Sequence, residues 1–361
     1  MSGVRENLNP VRRLLEEQVE SDTLMGAAVQ VSVGGEILEP VLVGDRRLDG
    51  SAPVEADTIF LIASITKPIV CSAVIRLVEE GKILLDDPVK DFVPEFDQNG
   101  KEDVRIRHLL THTSGLPDQI PENYAFREEK KPLSAFVDRI CELPLAFPSG
   151  TRISYQSSGI AMLSEICERV TGVAMADYLH EKLFGPIGLV DTRLRMIERS
   201  ARESDVKIAG EGVTNAGVGT DFDWNSDYWR GFGAPWGGML TTVEEMTRLL
   251  LLFRNGGELD GYRYLSKAAV SAMVADQSSS FPEMSRSERL RQRWGLGWRL
   301  GGRNAGVFGD LVSEDTFGHG GATGTLAWVD PVRDITCVIF TNDPEAARSL
   351  RGRISNLVAS V

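Results

Sequence analysis

Cysteine is scarce in this sequence: Cys71, Cys141, Cys167 and Cys337 are spread over 361 positions with no paired spacing. That pattern offers neither a disulfide scaffold nor a thiolate metal site, and buried free thiols are the expectation. Basic residues form no block. With 39 Lys and Arg against 52 Asp and Glu, the net charge of −13 argues against nucleic acid or an anionic membrane as a partner. No apolar run is long enough to span a bilayer, and Met1-Ser2-Gly3-Val4-Arg5-Glu6-Asn7 lacks the apolar core of a secretory signal. A cytoplasmic location is expected. Internal repeats and low-complexity segments are missing, as are a Gly-x-Ser-x-Gly elbow and a phosphate-binding glycine loop. His108 and His112 have i, i+4 spacing without the glutamate a zinc peptidase helix requires, so they read as structural histidines.

What remains is an ordinary globular composition, 42% hydrophobic and 25% charged, in a chain long enough for two structural units. Its most informative stretch is Phe60-Leu61-Ile62-Ala63-Ser64-Ile65-Thr66-Lys67, an apolar run leading into a serine that opens a helix. Ile69, Val70, Ala73, Val74, Leu77 and Val78 continue the helical period, Pro68 fits the first turn and Gly81 the C-terminal cap. Ser64 and Lys67, three apart at a helix start, share one face. A buried lysine has its ammonium form disfavoured, so its amine can take the serine proton. The helix start adds backbone N–H groups beside a developing oxyanion. The bland alternative is an N-cap serine followed by a surface lysine, and the spacing alone does not separate the two. Ser204-Asp205-Val206-Lys207 repeats the spacing in a charged stretch with no apolar helix behind it, and reads as chance; a Ser204→Ala change is expected to do nothing.

Around this stretch the pattern predicts a helix over 11–19, then strands over 26–33 and 36–43 joined at Gly34-Gly35. Helices are expected over 159–170, 174–183, 241–253 and 266–274, the third with a Thr241/Glu244 capping box. Residues 200–236, rich in glycine and tryptophan, read as a long functional loop. Strands follow over 294–300, 306–312, 324–329 and 335–340, and a last helix over 344–358. Strands at both ends and helices between them predict an α/β architecture. Its antiparallel sheet is built from both chain termini (1–84 and 265–361), and a mostly helical insertion (85–264) meets it at a cleft.

Three further pieces complete a resemblance. Tyr155-Gln156-Ser157 follows Pro148-Ser149-Gly150-Thr151, His319-Gly320-Gly321 lies within 317–324, and Leu110-Thr111-His112-Thr113-Ser114-Gly115-Leu116 precedes both. With Ser64-Ile65-Thr66-Lys67, their order resembles the serine β-lactamase and penicillin-binding-protein-like superfamily. Class C β-lactamases, D-alanyl-D-alanine carboxypeptidases, D-aminopeptidases and family VIII carboxylesterases are the groups most similar, and the likeness runs over about 26–342. It implies a β-lactamase/transpeptidase-like fold and a serine hydrolase acting on a small ester or amide, without metal or organic cofactor. Ser64 would be acylated, Lys67 would be its base partner, and Tyr155 would shuttle the proton, its phenolate favoured by neighbouring lysine charge. The backbone N–H groups of Ser64 and Ala322 would form the oxyanion hole. Ser157, His319, Gly320 and Gly321 would meet substrate, the glycines by letting it approach the strand. Two departures stand out. Ser157 replaces the family's asparagine, as a smaller hydrogen-bonding substitute or as a plain N-cap, and His319 replaces a strand lysine. Both changes favour neutral esters or amides over carboxylate-bearing β-lactams. A β-lactamase, a D-amino-acid peptidase or acyltransferase, and a non-catalytic ligand-binding relative are the alternatives.

Overall fold

The computed structural model describes residues 8–196, 198–208, 219–278, 281–302 and 306–361. Part of the stretch read as a long loop, residues 209–218, lies outside the described residues. The elements that position the site are α1 (Asn9–Glu20), β1 (Gly26–Val33), β2 (Glu36–Ile37), β3 (Val41–Gly44), β4 (Phe60–Leu61), α2 (Thr66–Glu79), α3 (Ser158–Thr171), α4 (Asp227–Phe232), β5 (Leu240–Thr241), α5 (Val243–Arg254), β6 (Arg299–Leu300), β7 (Phe317–Gly320), β8 (Leu326–Asp330), β9 (Ile335–Thr341) and α6 (Pro344–Ala359).

Seven strands form one antiparallel sheet in the order β2-β1-β9-β8-β7-β6, with β3 also paired to β1. The first and last parts of the chain therefore interleave: Ala27 faces Thr341 and Val33 faces Ile335 across the β1–β9 pair. Both sheet faces are buried, and the strand alternation divides them. Ala27, Val29, Val31, Leu326, Trp328, Cys337 and Ile339 join Val11 and Leu15 of α1 and Leu350 and Ile354 of α6. Ala28, Ala327, Val329, Val338 and Phe340 face the larger core that holds α2, α3 and α5. The Trp328 indole, fully buried, donates to Ser355 Oγ at 3.0 Å and fastens α6 to the sheet. A tryptophan N–H needs such a partner when buried.

Several boundaries differ from the sequence pattern for local reasons. The second strand breaks in two around Leu38-Glu39-Pro40, because proline cannot donate to the ladder. The cap of α5 moves one residue along: Thr242, not Thr241, accepts from Glu245 N, while the Thr241 hydroxyl meets Thr192 at 2.7 Å. The strand expected over 306–312 is a 3₁₀ turn at Gly306–Phe308, and only Arg299–Leu300 of 294–300 pairs as a strand. Helix α5, placed by sequence in the insertion, packs against β1, β8 and β9. All four cysteines are buried and unpaired, as their spacing predicts.

Candidate active site

Helix α2 carries the site because it is apolar on every side but one corner. Its residues from Thr66 to Ile75 are all buried, so Lys67 has nowhere to place its amine except at the helix start. Ser64 sits one turn earlier, in a 3₁₀ turn (Ala63–Ile65), and is only partly buried. Ala63 before it adopts φ +46°, a left-handed conformation that costs a non-glycine residue energy unless its surroundings impose it. They do. Ile62 N donates to Met239 O at 3.0 Å, Thr66 Oγ1 to Ala63 O at 2.7 Å, and Met239 N to Thr66 Oγ1 at 3.1 Å. From the other side Thr323 Oγ1 donates to Leu61 O at 2.5 Å and Thr325 Oγ1 to Ile62 O at 2.9 Å. The Ser64 hydroxyl makes no capping bond, which removes the plain N-cap alternative.

Lys67 Nζ lies 3.0 Å from Ser64 Oγ and donates to Trp236 O at 2.8 Å. The lysine is 1% exposed. Burial pulls its amine down from 10.5 to about 7, with Asp118 and then Cys71 acting in the opposite direction. A neutral amine can give one N–H to Trp236 O and still direct its lone pair at the serine hydroxyl. Trp236 both anchors the amine through its carbonyl and lines the cleft.

Tyr155 faces the same point. Its ring lies 4.7 Å from Lys67 Nζ. Burial pushes its phenol above the ordinary tyrosine value, although the Ser64 hydroxyl favours the ionised form. The expectation that lysine charge would favour a phenolate is therefore corrected, because the amine that would carry the charge is itself held near neutrality. Tyr155 is held from both sides by His112: Ser154 N donates to His112 O at 2.8 Å and Gln156 N to His112 Nδ1 at 3.3 Å. The two rings are 4.8 Å apart. The threonine-histidine-threonine-serine-glycine segment thus acts as a clip for Tyr155. Gln156 turns inward, accepting from Ser114 Oγ at 2.6 Å, while Ser157 lines the cleft at the N-terminus of α3 and makes no side-chain cap.

His319 projects from β7 beside Tyr155, with ring centroids 5.9 Å apart. Burial, and then the nearby Lys67, push it down to about 3, so it is neutral. Its Nδ1 lies 2.7 Å from Gly320 O, a carbonyl that only accepts, which places the proton on Nδ1 and leaves Nε2 as an acceptor. The two glycines serve a purpose other than the expected approach of substrate. A Cβ on Gly320 would meet Arg351 Nη1 at 3.1 Å, and one on Gly321 would meet Ile62 O at 2.2 Å. The space is filled from within the protein. Ala322 N and Ser64 N donate to no acceptor among the described residues, as an oxyanion hole requires.

Ser64, Tyr155, Ser157, Trp236 and Ala322 line a cleft of about 350 Å³, while Lys67 and His319 lie buried outside its lining. Its lining adds residues the sequence did not single out: Asp118, Trp224, Trp229 and, from α6, Arg348 and Arg351. Asp118 lies just past the clip segment and accepts from Ser157 N at 2.8 Å. Nothing in the sequence pattern linked α6 to Ser64; only the sheet pairing brings them together. Trp229 is braced from behind by the buried Arg127 guanidinium, 4.6 Å from its ring.

The second Ser-x-x-Lys holds no such arrangement. Lys207 pairs with Asp343, and Ser204 Oγ donates to Arg46 O at 3.3 Å and accepts from Asn342 Nδ2 at 3.0 Å. Being 2% exposed and bonded to Arg46 O and Asn342, the hydroxyl is structural. Ser204→Ala should lower stability by about 1 kcal/mol with unchanged turnover, measured by urea unfolding alongside an esterase assay.

Comparison with known proteins agrees with this arrangement. A candidate D-alanyl-D-alanine carboxypeptidase of Escherichia coli is 27% identical over 376 residues, covering 94% of this chain and 83% of that protein. A penicillin-binding protein homologue from Caulobacter crescentus superposes with TM-score 0.78 at 23% identity, covering 98% of this chain and 97% of the other. A family VIII carboxylesterase superposes with TM-score 0.74 at 22% identity, over 95% and 97%. The family model described as Beta-lactamase matches residues 11–359, and the chain accordingly belongs to the Beta-lactamase family of serine hydrolases.

Proposed function

We propose that the protein hydrolyses small esters or amides through an acyl-enzyme on Ser64, with esters the favoured substrates. The observation that carries this reading is the buried Lys67 amine, 3.0 Å from Ser64 Oγ and lowered to about 7. The neutral amine takes the hydroxyl proton as Ser64 Oγ attacks the carbonyl carbon. The oxygen of the tetrahedral intermediate is received by Ser64 N and Ala322 N. On collapse, Tyr155, a neutral phenol, relays the proton from Lys67 to the departing alcohol or amine. Water then attacks the ester, Lys67 accepts its proton, and on collapse that proton passes to the departing Ser64 Oγ, which restores the hydroxyl and the neutral amine. The preference for neutral acyl groups rests on His319, buried and uncharged beside Tyr155.

Intact-mass spectrometry after brief mixing with a short p-nitrophenyl ester tests the reading: the parent should gain one acyl mass, mapped to Ser64. An unmodified parent that also releases no p-nitrophenol would sink it, and hydrolysis of a chromogenic cephalosporin alone would move it to a β-lactamase.

One observation favours a second reading, a substrate carrying a carboxylate, as in D-amino-acid peptides. Arg348 is exposed at the cleft and has no ion-pair or hydrogen-bond partner among the described residues. Under that reading Arg348→Ala raises KM for mono-p-nitrophenyl succinate about tenfold while p-nitrophenyl acetate is little affected. An equal effect on both esters would remove it.

A further inference from the structure

The loop between β7 and β8, Gly321-Ala322-Thr323-Gly324-Thr325, presents the Ala322 N–H to the cleft. In a trans peptide the carbonyl of one residue and the N–H of the next point in opposite directions. Whatever holds the Gly321 oxygen therefore aims the Ala322 N–H. Two groups hold it: the Gly324 N–H, which donates to it at 3.3 Å, and Arg351 of α6. The arginine Nη1 donates to Gly321 O at 3.3 Å and to Thr325 O at 3.0 Å, and its Nε donates to Ala347 O at 3.3 Å.

Arg351 has no carboxylate partner among the described residues, unusual in a chain with 52 acidic residues and a net charge of −13. Its hydrogen bonds instead go to backbone carbonyls. The nearest charged neighbour, Arg348, is a like charge, and it adds to burial in lowering the guanidinium below its ordinary value. Room for the guanidinium is built into the strand, since a Cβ on Gly320 would stand 3.1 Å from Nη1. The rest of the loop is fixed separately. Gly321 N donates to Thr325 O at 2.7 Å, and the Thr323 and Thr325 hydroxyls reach Leu61 O and Ile62 O, three and two residues before Ser64. Thr323 and Thr325 set the distance between the loop and Ser64. They leave the rotation of the Gly321–Ala322 peptide to Gly324 N and Arg351, of which only the guanidinium brings a charge.

We propose that Arg351 is the positioning residue of the oxyanion hole: its guanidinium orients and polarises the Gly321–Ala322 peptide so that Ala322 N–H meets the developing oxyanion. The inference rests on the acyl-enzyme reading above. A charge-assisted bond to a peptide oxygen strengthens the dipole of that peptide, and the N–H at its other end becomes a better donor. Because the peptide is oriented before the reaction, no reorganisation is needed when negative charge forms. Arg351 acts through the peptide, so its removal lowers kcat and leaves KM in place.

The test uses Arg351→Gln, Arg351→Lys and Gly320→Ala with a short p-nitrophenyl ester, together with binding of phenylboronic acid. The boronic acid mimics the intermediate: Ser64 Oγ forms a bond to boron, the serine proton passes to Lys67, and the anionic tetrahedral boronate places one oxygen at Ala322 N. Arg351→Gln should lower kcat about 30-fold, less than the roughly 10²–10³-fold for removing an oxyanion donor outright because the N–H itself stays, with KM within about twofold. Boronate affinity should fall by a similar factor. Arg351→Lys should recover part of both, being a cation without the planar fork. Gly320→Ala, which displaces the guanidinium with a methyl group and keeps the arginine, should reproduce the loss if Arg351→Gln fails to fold.

Arg351→Gln with kcat and boronate affinity within twofold of the parent overturns the proposal. So does a loss confined to KM or to the unfolding temperature, which would make the arginine only a strut. Failure of the acyl-enzyme reading looks different: the parent itself then forms no Ser64 adduct with ester or boronate, and the role of Arg351 falls with it.

Discussion

Ser64→Ala should abolish ester turnover, by about 10³-fold or more, while leaving the fold intact. The expected loss is large because the residues around Ser64 act as one unit. Lys67 and Tyr155 face the Ser64 hydroxyl, and without it no covalent intermediate forms for the two backbone N–H groups to receive. The small effect on stability follows from the contacts of the hydroxyl. Ser64 Oγ is partly exposed, lies 3.0 Å from Lys67 Nζ and beside the Tyr155 phenol, and caps no helix. Removing it leaves Lys67 its bond to Trp236 O at 2.8 Å. The strained turn at Ala63 is held by Thr66, Met239, Thr323 and Thr325 rather than by the hydroxyl. Unfolding should therefore shift by no more than about 1 kcal/mol. The measurements are the p-nitrophenol burst, the intact mass after mixing, and a urea titration. Turnover near the parent's would discard Ser64 as the nucleophile. A large loss of stability would make the activity result uninformative about chemistry.

The legible parts of the site were those whose chemistry and local conformation coincide. Ser64 and Lys67 lie on one continuous element, so helical spacing alone predicts their proximity. Tyr155 and His319 are far from Ser64 in sequence, and only their order within a familiar set of segments suggested that they converge. The sheet was legible for a similar reason: 26–33 and 335–340 are strongly alternating and apolar, and a sheet buried on both faces needs both. Arg348, Arg351 and Asp118 were not legible. Arg348 and Arg351 sit on a final helix whose pattern announces only packing against the sheet, and nothing local marks which of its polar residues looks into a cleft. The roles of Gly320 and Gly321 were misread for the same reason. A glycine in a strand signals close approach, but its sequence neighbourhood does not say whether substrate or an arginine from elsewhere in the fold approaches. The lowered Lys67 amine was legible from its place on an apolar helix, whereas the raised Tyr155 phenol was not, because its burial is set only by the fold. Lys67 and Tyr155 both shift, in directions that exchange the duties a solution pKa would give them.

That exchange leads to the second large effect. With Lys67 as the base, kcat/KM should rise about tenfold per pH unit below neutrality and level off above about 7, where the amine is neutral. The sign follows from the cause. Burial disfavours the ammonium form, the reaction needs the amine, and protonation on the acidic side removes the base. Asp118 and Cys71 oppose the shift without reversing it, and His112 and His319 are held neutral by burial across this range. Tyr155, raised above its ordinary value, supplies no second rise near neutral pH. A profile that stays flat through 7 and climbs only above about 10 would assign the base to the tyrosine instead. Lys67→Met should lose about 10³-fold or more in acylation and with it the limb at 7. Stability provides an independent check. Between about 7 and 10.5 the unfolded chain binds a proton at this lysine that the folded chain does not, so the parent should gain stability as pH rises through that window. The gain approaches about 1.4 kcal/mol per pH unit in mid-window, and Lys67→Met should lack it. Parallel unfolding curves for the two proteins across this window would mean that the amine stays charged in the fold, and the base would have to be sought elsewhere.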